Sequence, residues 1–182
     1  MSLAPVIAIV GPSGVGKDSV IEALDARVPG FHRVRRVITR PEGKQGEDFD
    51  RVSVESFQQM VAQGAFALHW PAHGLFYGVP KTVEELRQQA DGVLVNLSRS
   101  VLLQAQEVFG DLVVISLTAT PEVLAHRLSA RGRESTAEQA RRMTRAKARL
   151  PEGLMRVLEI DNSGSLESTI DTILDHLQPE RA

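Results

Sequence analysis

The chain has 182 residues, of which 42% are hydrophobic and 24% are charged, and its formal net charge is −2. This composition is typical of a globular protein that buries one medium-sized core. A slightly acidic chain is not expected to be a general nucleic-acid binder, and the absence of cysteine excludes disulfides and thiolate metal sites.

The first predicted element is a strand at Val6–Val10, within "MSLAPVIAIVG". No basic residue precedes this short apolar run, and the run ends at a glycine, which predicts a strand rather than a signal peptide or a membrane span. We therefore expect a cytoplasmic protein that works without a membrane, a nucleic acid or an obligate protein partner.

A glycine-rich stretch, "IVGPSGVGKDSVI", follows the phosphate-loop pattern G-x-x-x-x-G-K-[ST] through Gly11, Gly16 and Lys17. The strand before it and a helix predicted at Lys17–Arg27 are the context that makes such a loop credible. Its backbone N–H groups and the helix start favour an anion, and Lys17 is expected to reach the β- and γ-phosphates of ATP. The predicted ATP-binding residues of the loop are Gly11, Pro12, Ser13, Gly14, Val15, Gly16, Lys17, Asp18 and Ser19.

Asp18 stands where the pattern requires a Ser or Thr hydroxyl. A carboxylate ~4 Å from a phosphate is repelled by ~4 kcal/mol at an effective dielectric of 20, whereas an acid in the first helical turn gains only ~0.3–1 kcal/mol from the helix dipole. A magnesium ion reverses the repulsion, because carboxylate oxygens are ligands that Mg²⁺ accepts directly or through water. We favour Asp18 as a residue of the magnesium shell over Asp18 as a simple helix-start acid.

Short β-branched runs then alternate with helical patterns, which predicts an α/β fold around a parallel sheet in a single domain, 1–182. The further predicted strands are Arg33–Ile38, Gly92–Leu97, Leu112–Leu117 and Arg156–Ile160. The further predicted helices are Ser100–Phe109, Pro121–Ala130, Ala137–Arg149 and Leu166–Leu177.

The segment 40–80 interrupts this alternation, and we interpret it as a lobe inserted into a core made of 1–39 and 81–182. It holds the turn-rich "TRPEGKQGED", a short helix near 53–63 and the aromatic "FALHWPAHGLFYG". Trp70 and Phe76 are expected in the core of this lobe. Basic residues concentrate in 33–51 and 127–149, which favours an anionic ligand such as a phosphate compound, although solvated surface arginines would give the same pattern.

Motifs along nearly the whole chain resemble guanylate kinases, namely "GPSGVGKDS", "ITRPEGKQGED", "HGLFYGVP", "RLSARGRES" and "ARRMTRA". The resemblance implies a P-loop NTPase three-layer sandwich with a central parallel sheet, an inserted substrate lobe and an arginine-bearing lid at about 131–149. It also implies that Arg131 and Arg142 are catalytic lid residues beside Lys17, and that Asn162, Ser163 and Gly164 line the adenine.

The residues that would read guanine depart from the guanylate kinase pattern. By alignment, Arg36 replaces a Ser, Leu68 replaces a Glu and Asn96 replaces an Asp. Guanine presents N–H donors at the edge that would face these residues. It therefore needs acceptors, which an arginine and a leucine do not offer. A site stripped of its polar partners loses ~10⁴–10⁵ in specificity, so guanylate kinase activity is not expected.

The motifs "GKDS", "ITR", "GLFYGV", "VLVNLSR" and "RGRE" are similar to those of ribose 1,5-bisphosphate phosphokinases of phosphonate metabolism. This resemblance implies ATP and Mg²⁺ as cofactors and a phosphorylated sugar as the small-molecule acceptor. Arg40 and Tyr77 would then hold one acceptor phosphate, while Phe49 stands where the guanylate kinases have a Tyr. Arg36 would hold the other phosphate, and we count Asn96 among the substrate residues.

Three alternatives remain open at this point. The chain could be a nucleoside monophosphate kinase, a kinase of another small phosphorylated sugar, or a non-catalytic guanylate-kinase-like module that binds protein partners. Such a module should have lost the loop lysine and the lid arginines, whereas Lys17, Arg131 and Arg142 are all present. Arg36, in turn, could be a structural residue paired with an acid such as Glu47.

Overall fold

The structure, a computed structural model, describes residues 3–12, 14–41, 49–131 and 150–177, of which 128–131 are described by backbone alone. The strands are β1 Val6–Val10, β2 Phe31–Arg33, β3 Val37–Ile38, β4 Asp50–Arg51, β5 Phe66–Ala72, β6 Leu75–Pro80, β7 Gly92–Asn96, β8 Leu112–Thr118 and β9 Val157–Asp161. The helices are α1 Lys17–Arg27, α2 Val54–Ala62, α3 Val83–Gln89, α4 Leu102–Phe109, α5 Pro121–Arg131 and α6 Leu166–Leu177, with a 3-10 turn at Arg99–Val101.

Five strands form a parallel core sheet in the order β2-β7-β1-β8-β9. Every residue of β1 is buried, and its side chains alternate between two hydrophobic clusters. Val6 and Ala8 belong to the cluster that includes residues of α3 and α4, whereas Ile7 and Ile9 belong to the cluster of α1, α5 and α6. Because successive side chains of a strand point to opposite faces, β1 is covered on both sides, and the predicted α/β fold with a central parallel sheet is confirmed.

Four further strands form a smaller mixed sheet in the order β4-β3-β6-β5. Its hairpin, β5–β6, closes through His73 and Gly74, both at positive φ, 53° and 74°, as a two-residue turn of type I′ requires. On one face Phe57 of α2 stacks on the rings of Phe66 and Phe76, at 4.7 and 5.5 Å between centroids. Phe76 packs in this cluster as expected, whereas Trp70, also expected in the core of the lobe, is 4% exposed and belongs to the hydrophobic cluster that includes Val6 and Ala8 of the core sheet.

The single strand predicted at Arg33–Ile38 is wrong, because this segment forms two strands in different sheets. The Val34 N–H still bonds the Leu94 carbonyl of β7, at 2.9 Å, but the Thr39 N–H bonds the Phe76 carbonyl of β6, at 3.1 Å. The chain therefore crosses from the core sheet to the smaller sheet around Arg36. Alternating burial is the same in both sheets, so the pattern carries no sign of the crossing.

The other predicted core strands, and the predicted helices that fall within the described residues, agree with the structure within two residues at either end. β3 precedes residue 40, so the smaller sheet begins before the predicted start of the lobe, and α3 was not predicted. The predicted helix Ala137–Arg149 lies outside the described residues. Within the described ranges, no helix combines the length and apolar character needed to cross a membrane.

Candidate active site

The loop between β1 and α1 is packed so tightly that glycine is required at two of its positions. Gly11 and Gly16 have φ values of 156° and 102°, which side chains rarely adopt. A Cβ atom on Gly16 would lie 2.7 Å from the Asn162 amide nitrogen, and one on Gly11 would lie 2.8 Å from the Leu117 carbonyl oxygen. The spacing of these glycines therefore reflects close contact with the ends of β8 and β9.

Two carbonyl groups of the loop accept hydrogen bonds from side chains of α1 and α5. The Lys17 ammonium donates to the Gly11 carbonyl at 2.9 Å, and the Arg127 guanidinium donates to the Val15 carbonyl at 3.0 Å. Because N–H and C=O of a trans peptide point in opposite directions, turning the Val15 carbonyl toward Arg127 directs the Gly16 N–H to the other side of the loop. That side is where an anion can bind at the start of α1.

Asn162, which directly follows β9, braces the loop from the side opposite the expected anion. It is 4% exposed, its amide donates to the Val15 carbonyl at 2.6 Å, and its side-chain carbonyl accepts from the Thr169 hydroxyl at 2.5 Å. Arg127 also donates to the Asn162 backbone carbonyl, at 2.8 Å. Asn162 was predicted to line the adenine, and the structure adds that its side chain supports the loop.

Ser163 joins the loops that follow β8 and β9. Its hydroxyl accepts from the Thr120 N–H and its own N–H donates to the Asp161 carboxylate, each at 2.9 Å. Hydrogen bonds from Ser163 lower the pKa of the Asp161 carboxyl below its ordinary value, since they favour the charged form. The adenine contact of Asn162, Ser163 and Gly164 stays a prediction, on a backbone that these bonds hold in place.

The side chains of Asp18 and Asn96 are in contact beside the loop. Asp18 lies in the first turn of α1 and Asn96 ends β7, paired with Ile9 in the register of β1 and β7. The Asn96 amide lies 3.4 Å from the Asp18 carboxylate. Among the described residues no three His, Asp or Glu side chains cluster as metal ligands. A lone carboxylate fits Mg²⁺, which proteins bind through one or two carboxylates together with substrate phosphates and water.

The predicted substrate residues Arg36 and Tyr77 are in contact within the smaller sheet. The Arg36 guanidinium carbon lies 5.0 Å from the centre of the Tyr77 ring, within the range of a cation–π interaction. Arg36 is 4% exposed and Tyr77 is 6% exposed. Tyr77 also stacks on Trp70, its partner in the β5–β6 register, with ring centres 5.5 Å apart. Three side chains thus form one packed unit.

Arg40 comes two residues after the end of β3. Its guanidinium carbon lies 4.9 Å from the centre of the Phe49 ring. The phenyl ring, which lacks the hydroxyl of the guanylate kinase pattern, supplies a flat surface for this cation. Leu68, the residue that replaces the guanine-binding Glu, is 1% exposed and belongs to the hydrophobic core. It offers a base neither donor nor acceptor.

Some predicted residues cannot be placed, and some residues of the site were not predicted. Ser13, Glu47 and Arg142 lie outside the described residues, and Arg131 is described by backbone alone. The bonds of Arg127 to the loop and to Asn162, and the bond of Thr169 to Asn162, were not predicted. Arg127 was counted only as one of a basic cluster, and no local pattern tells a loop-binding arginine from a solvated one.

The parallel sheet, the glycine loop and the lysine at the start of α1 define a phosphate-loop nucleotide-binding fold. A family model described as "AAA domain" matches residues 7–147. The structure is similar to a guanylate kinase from Anaplasma phagocytophilum, with a TM-score of 0.69, 21% identity and coverage of 98% of this chain and 87% of that one. It is also similar to a gluconokinase from Sinorhizobium meliloti, with a TM-score of 0.55, 18% identity and coverage of 97% and 93%. These likenesses concern the fold.

Two curated relatives indicate the kinase family to which the chain belongs. The chain is 58% identical to the ribose 1,5-bisphosphate phosphokinase PhnN of Ruegeria sp. strain TM1040, over 98% of this chain and 94% of that protein. It is 44% identical to the protein of the same name from Agrobacterium fabrum, over 94% and 95%. The chain belongs to the ribose 1,5-bisphosphate phosphokinase family, and it is a nucleotide-using kinase.

The support that Asn162 gives to the loop predicts that Asn162→Ala weakens ATP binding. Because Asn162 is also predicted to line the adenine, Thr169→Val, which removes only a partner of the Asn162 side chain, separates the two effects. Removing one of the donors to the Val15 carbonyl should raise the dissociation constant of ATP about fivefold to tenfold, because a lost buried hydrogen bond costs about 1–1.5 kcal/mol. Titration calorimetry measures this constant. Thr169→Val should give a smaller rise, whereas Thr172→Val, which removes an exposed hydroxyl of the same helix, should give none. Unchanged affinity in Asn162→Ala would refute the brace.

Proposed function

We propose that this enzyme transfers the γ-phosphoryl group of ATP to the 1-phosphate of ribose 1,5-bisphosphate and forms 5-phospho-α-D-ribose 1-diphosphate, as in phosphonate metabolism. The names of the relatives, at up to 58% identity in those compared above, support this acceptor. We expect the reaction in the cytoplasm, where ATP is supplied. The observation that carries the proposal is the buried guanidinium of Arg36 against Tyr77.

The chemistry of the acceptor site favours a phosphate over a purine base. Arg36 provides a buried positive charge, and arginine binds phosphate through charge-assisted hydrogen bonds. Leu68, on the same face of β5 as Trp70, is buried in the core and has no acceptor for the N–H groups of guanine. A buried cation, together with an apolar residue at the position of the guanine-binding Glu, suits a bisphosphate.

On the nucleotide side, the backbone of the loop and the start of α1 would bind the β- and γ-phosphates. Lys17, which bonds the Gly11 carbonyl at 2.9 Å, would exchange this partner for phosphate oxygens. Asp18 would hold Mg²⁺, directly or through water, while Asn96 orients its carboxylate from 3.4 Å. When bound, Mg²⁺ neutralises charge on the phosphates that Lys17 contacts. The Ser19 hydroxyl would contact the α-phosphate.

On the acceptor side, Arg40 and Tyr77 would hold the 1-phosphate and Arg36 the 5-phosphate. An oxygen of the 1-phosphate attacks the γ-phosphorus, and the bond from that phosphorus to the β–γ bridging oxygen breaks, so that ADP leaves with the bond electrons. The attacking oxygen is already an anion, so no general base is needed. Catalysis is then positioning and neutralisation of charge, to which Arg131 and Arg142 would add by closing over the site.

The proposal predicts a strong preference for ribose 1,5-bisphosphate over GMP. With Mg-ATP and each acceptor in turn, ADP release should give a specificity constant for ribose 1,5-bisphosphate at least about a thousandfold above that for GMP, since unpaired polar groups of guanine are costly. Lys17→Ala should abolish ADP release with either acceptor and so excludes a contaminating kinase. Comparable turnover of GMP would overturn the proposed acceptor and favour a nucleoside monophosphate kinase.

The proposed role of Asp18 predicts a change in magnesium dependence. Asp18→Ala should raise the Mg²⁺ concentration needed for half-maximal rate severalfold, because one oxygen ligand is lost. Asp18→Ser, which restores the usual hydroxyl of the loop pattern, should recover part of this loss. Steady-state rates across a magnesium titration measure both effects. If Asp18→Ala keeps the wild-type magnesium curve, Asp18 acts only as an acid at the start of α1.

The proposed role of Arg36 predicts a loss that depends on the 5-phosphate. Arg36→Met keeps a long side chain beside Tyr77 but removes the charge, and it should cost ~2 kcal/mol or more in the specificity constant for ribose 1,5-bisphosphate. The cost should be much smaller for ribose 1-phosphate. Arg35→Met is the matched control, because Arg35 is half exposed and paired with Asp50 at 2.5 Å. Equal losses on both acceptors would make Arg36 a structural residue.

A further inference from the structure

We propose that Trp70 is a positioning residue of the acceptor site, which fixes Tyr77 relative to the phosphate loop through a hydrogen bond to Ser98. This inference rests on the proposed function and adds to it a residue that touches no reacting atom. Trp70 joins the two sheets of the protein: its ring belongs to the smaller sheet, whereas Ser98 follows β7 of the core sheet.

Trp70 and Tyr77 stack on each other within the hairpin β5–β6. Trp70 and Tyr77 are directly paired across the two strands, with ring planes 9° apart and centres 5.5 Å apart. Cross-strand aromatic pairs hold each other's orientation. Because Arg36 contacts the same Tyr77 ring, the orientation of the Trp70 indole sets that of both proposed phosphate-binding side chains.

Trp70 is also hydrogen-bonded to the segment that follows β7. The indole N–H of Trp70 donates to the Ser98 hydroxyl at 2.9 Å. Ser98 comes two residues after Asn96, whose amide reaches Asp18 on α1 at 3.4 Å. A single short segment of chain therefore contacts the acceptor side through Ser98 and the phosphate-loop side through Asn96.

Filling the core would not require this hydrogen bond. A phenyl ring could stack on Tyr77 and remain buried, so the indole nitrogen is the part of Trp70 that packing leaves unexplained. In phosphoryl transfer, the distance and alignment of acceptor and donor phosphates supply much of the catalysis, and a displacement of ~1 Å costs up to ~100-fold in rate. The Trp70–Ser98 bond anchors the proposed acceptor side chains to the strand end beside the loop.

The test removes this bond from either side. Trp70→Phe keeps a stacking ring without the donor, and Ser98→Ala removes the acceptor while leaving Trp70 in place. Each variant should lower kcat/KM for ribose 1,5-bisphosphate about tenfold and leave the dissociation constant of ATP within twofold. The double variant should lose no more than either single variant, because both remove the same interaction. Ser98→Thr, which keeps a hydroxyl, should retain most of the wild-type value.

Phe57→Leu is the control for a general loss of packing. Phe57 is 1% exposed and stacks on Phe66 and Phe76, away from the stack of Trp70 and Tyr77. It should lower the melting temperature while kcat/KM stays within twofold of wild type. Wild-type kcat/KM in Ser98→Ala, or losses that add in the double variant, would overturn the positioning role alone. A wild-type enzyme that does not turn over ribose 1,5-bisphosphate would overturn the proposed function and this role with it.

Discussion

The structure depends on how the peptide groups of one loop are oriented. A loop that binds an anion must turn its N–H groups toward the ligand, which turns carbonyl groups toward the protein, where each needs a donor. Arg127 and Asn162 supply donors to the Val15 carbonyl, and Lys17 supplies one to the Gly11 carbonyl. The bonds of Arg127 and Asn162 do not depend on the nucleotide, so the peptide group of Val15 is already oriented and less ordering is required when ATP binds.

The groups that meet this requirement come from α5 and from the end of β9, and β8 also contacts the loop. Arg127 reaches the Val15 carbonyl from α5, and Asn162 reaches it from the end of β9. Gly16 is held against Asn162 and Gly11 against Leu117 at distances that exclude a side chain. The core sheet therefore does more than bury apolar surface: the carboxyl ends of its strands form the support on which the loop rests, as is usual for ligand sites of open α/β sheets.

The parts of this arrangement that local sequence determines could be predicted, and those that depend on distant contacts could not. The loop, the strand before it and the helix after it are encoded within about twenty residues, and the buried strands of the parallel sheet have a simple apolar pattern. The crossing near Arg36, the brace from Arg127 and the bond between Trp70 and Ser98 join residues far apart in the chain. Strand periodicity is the same in both sheets, and an arginine on a helix has the same local pattern whether it binds a loop or faces water.

The position of β1 in the sheet has a consequence for how the enzyme is made. β1 is the central strand, and both of its neighbours, β7 and β8, come from the second half of the chain. A nascent chain that has emerged only as far as the hairpin β5–β6 contains the complete glycine loop but neither strand that flanks it. Such non-local parallel pairing slows folding, and the nucleotide site forms only after β7 and β8 have left the ribosome.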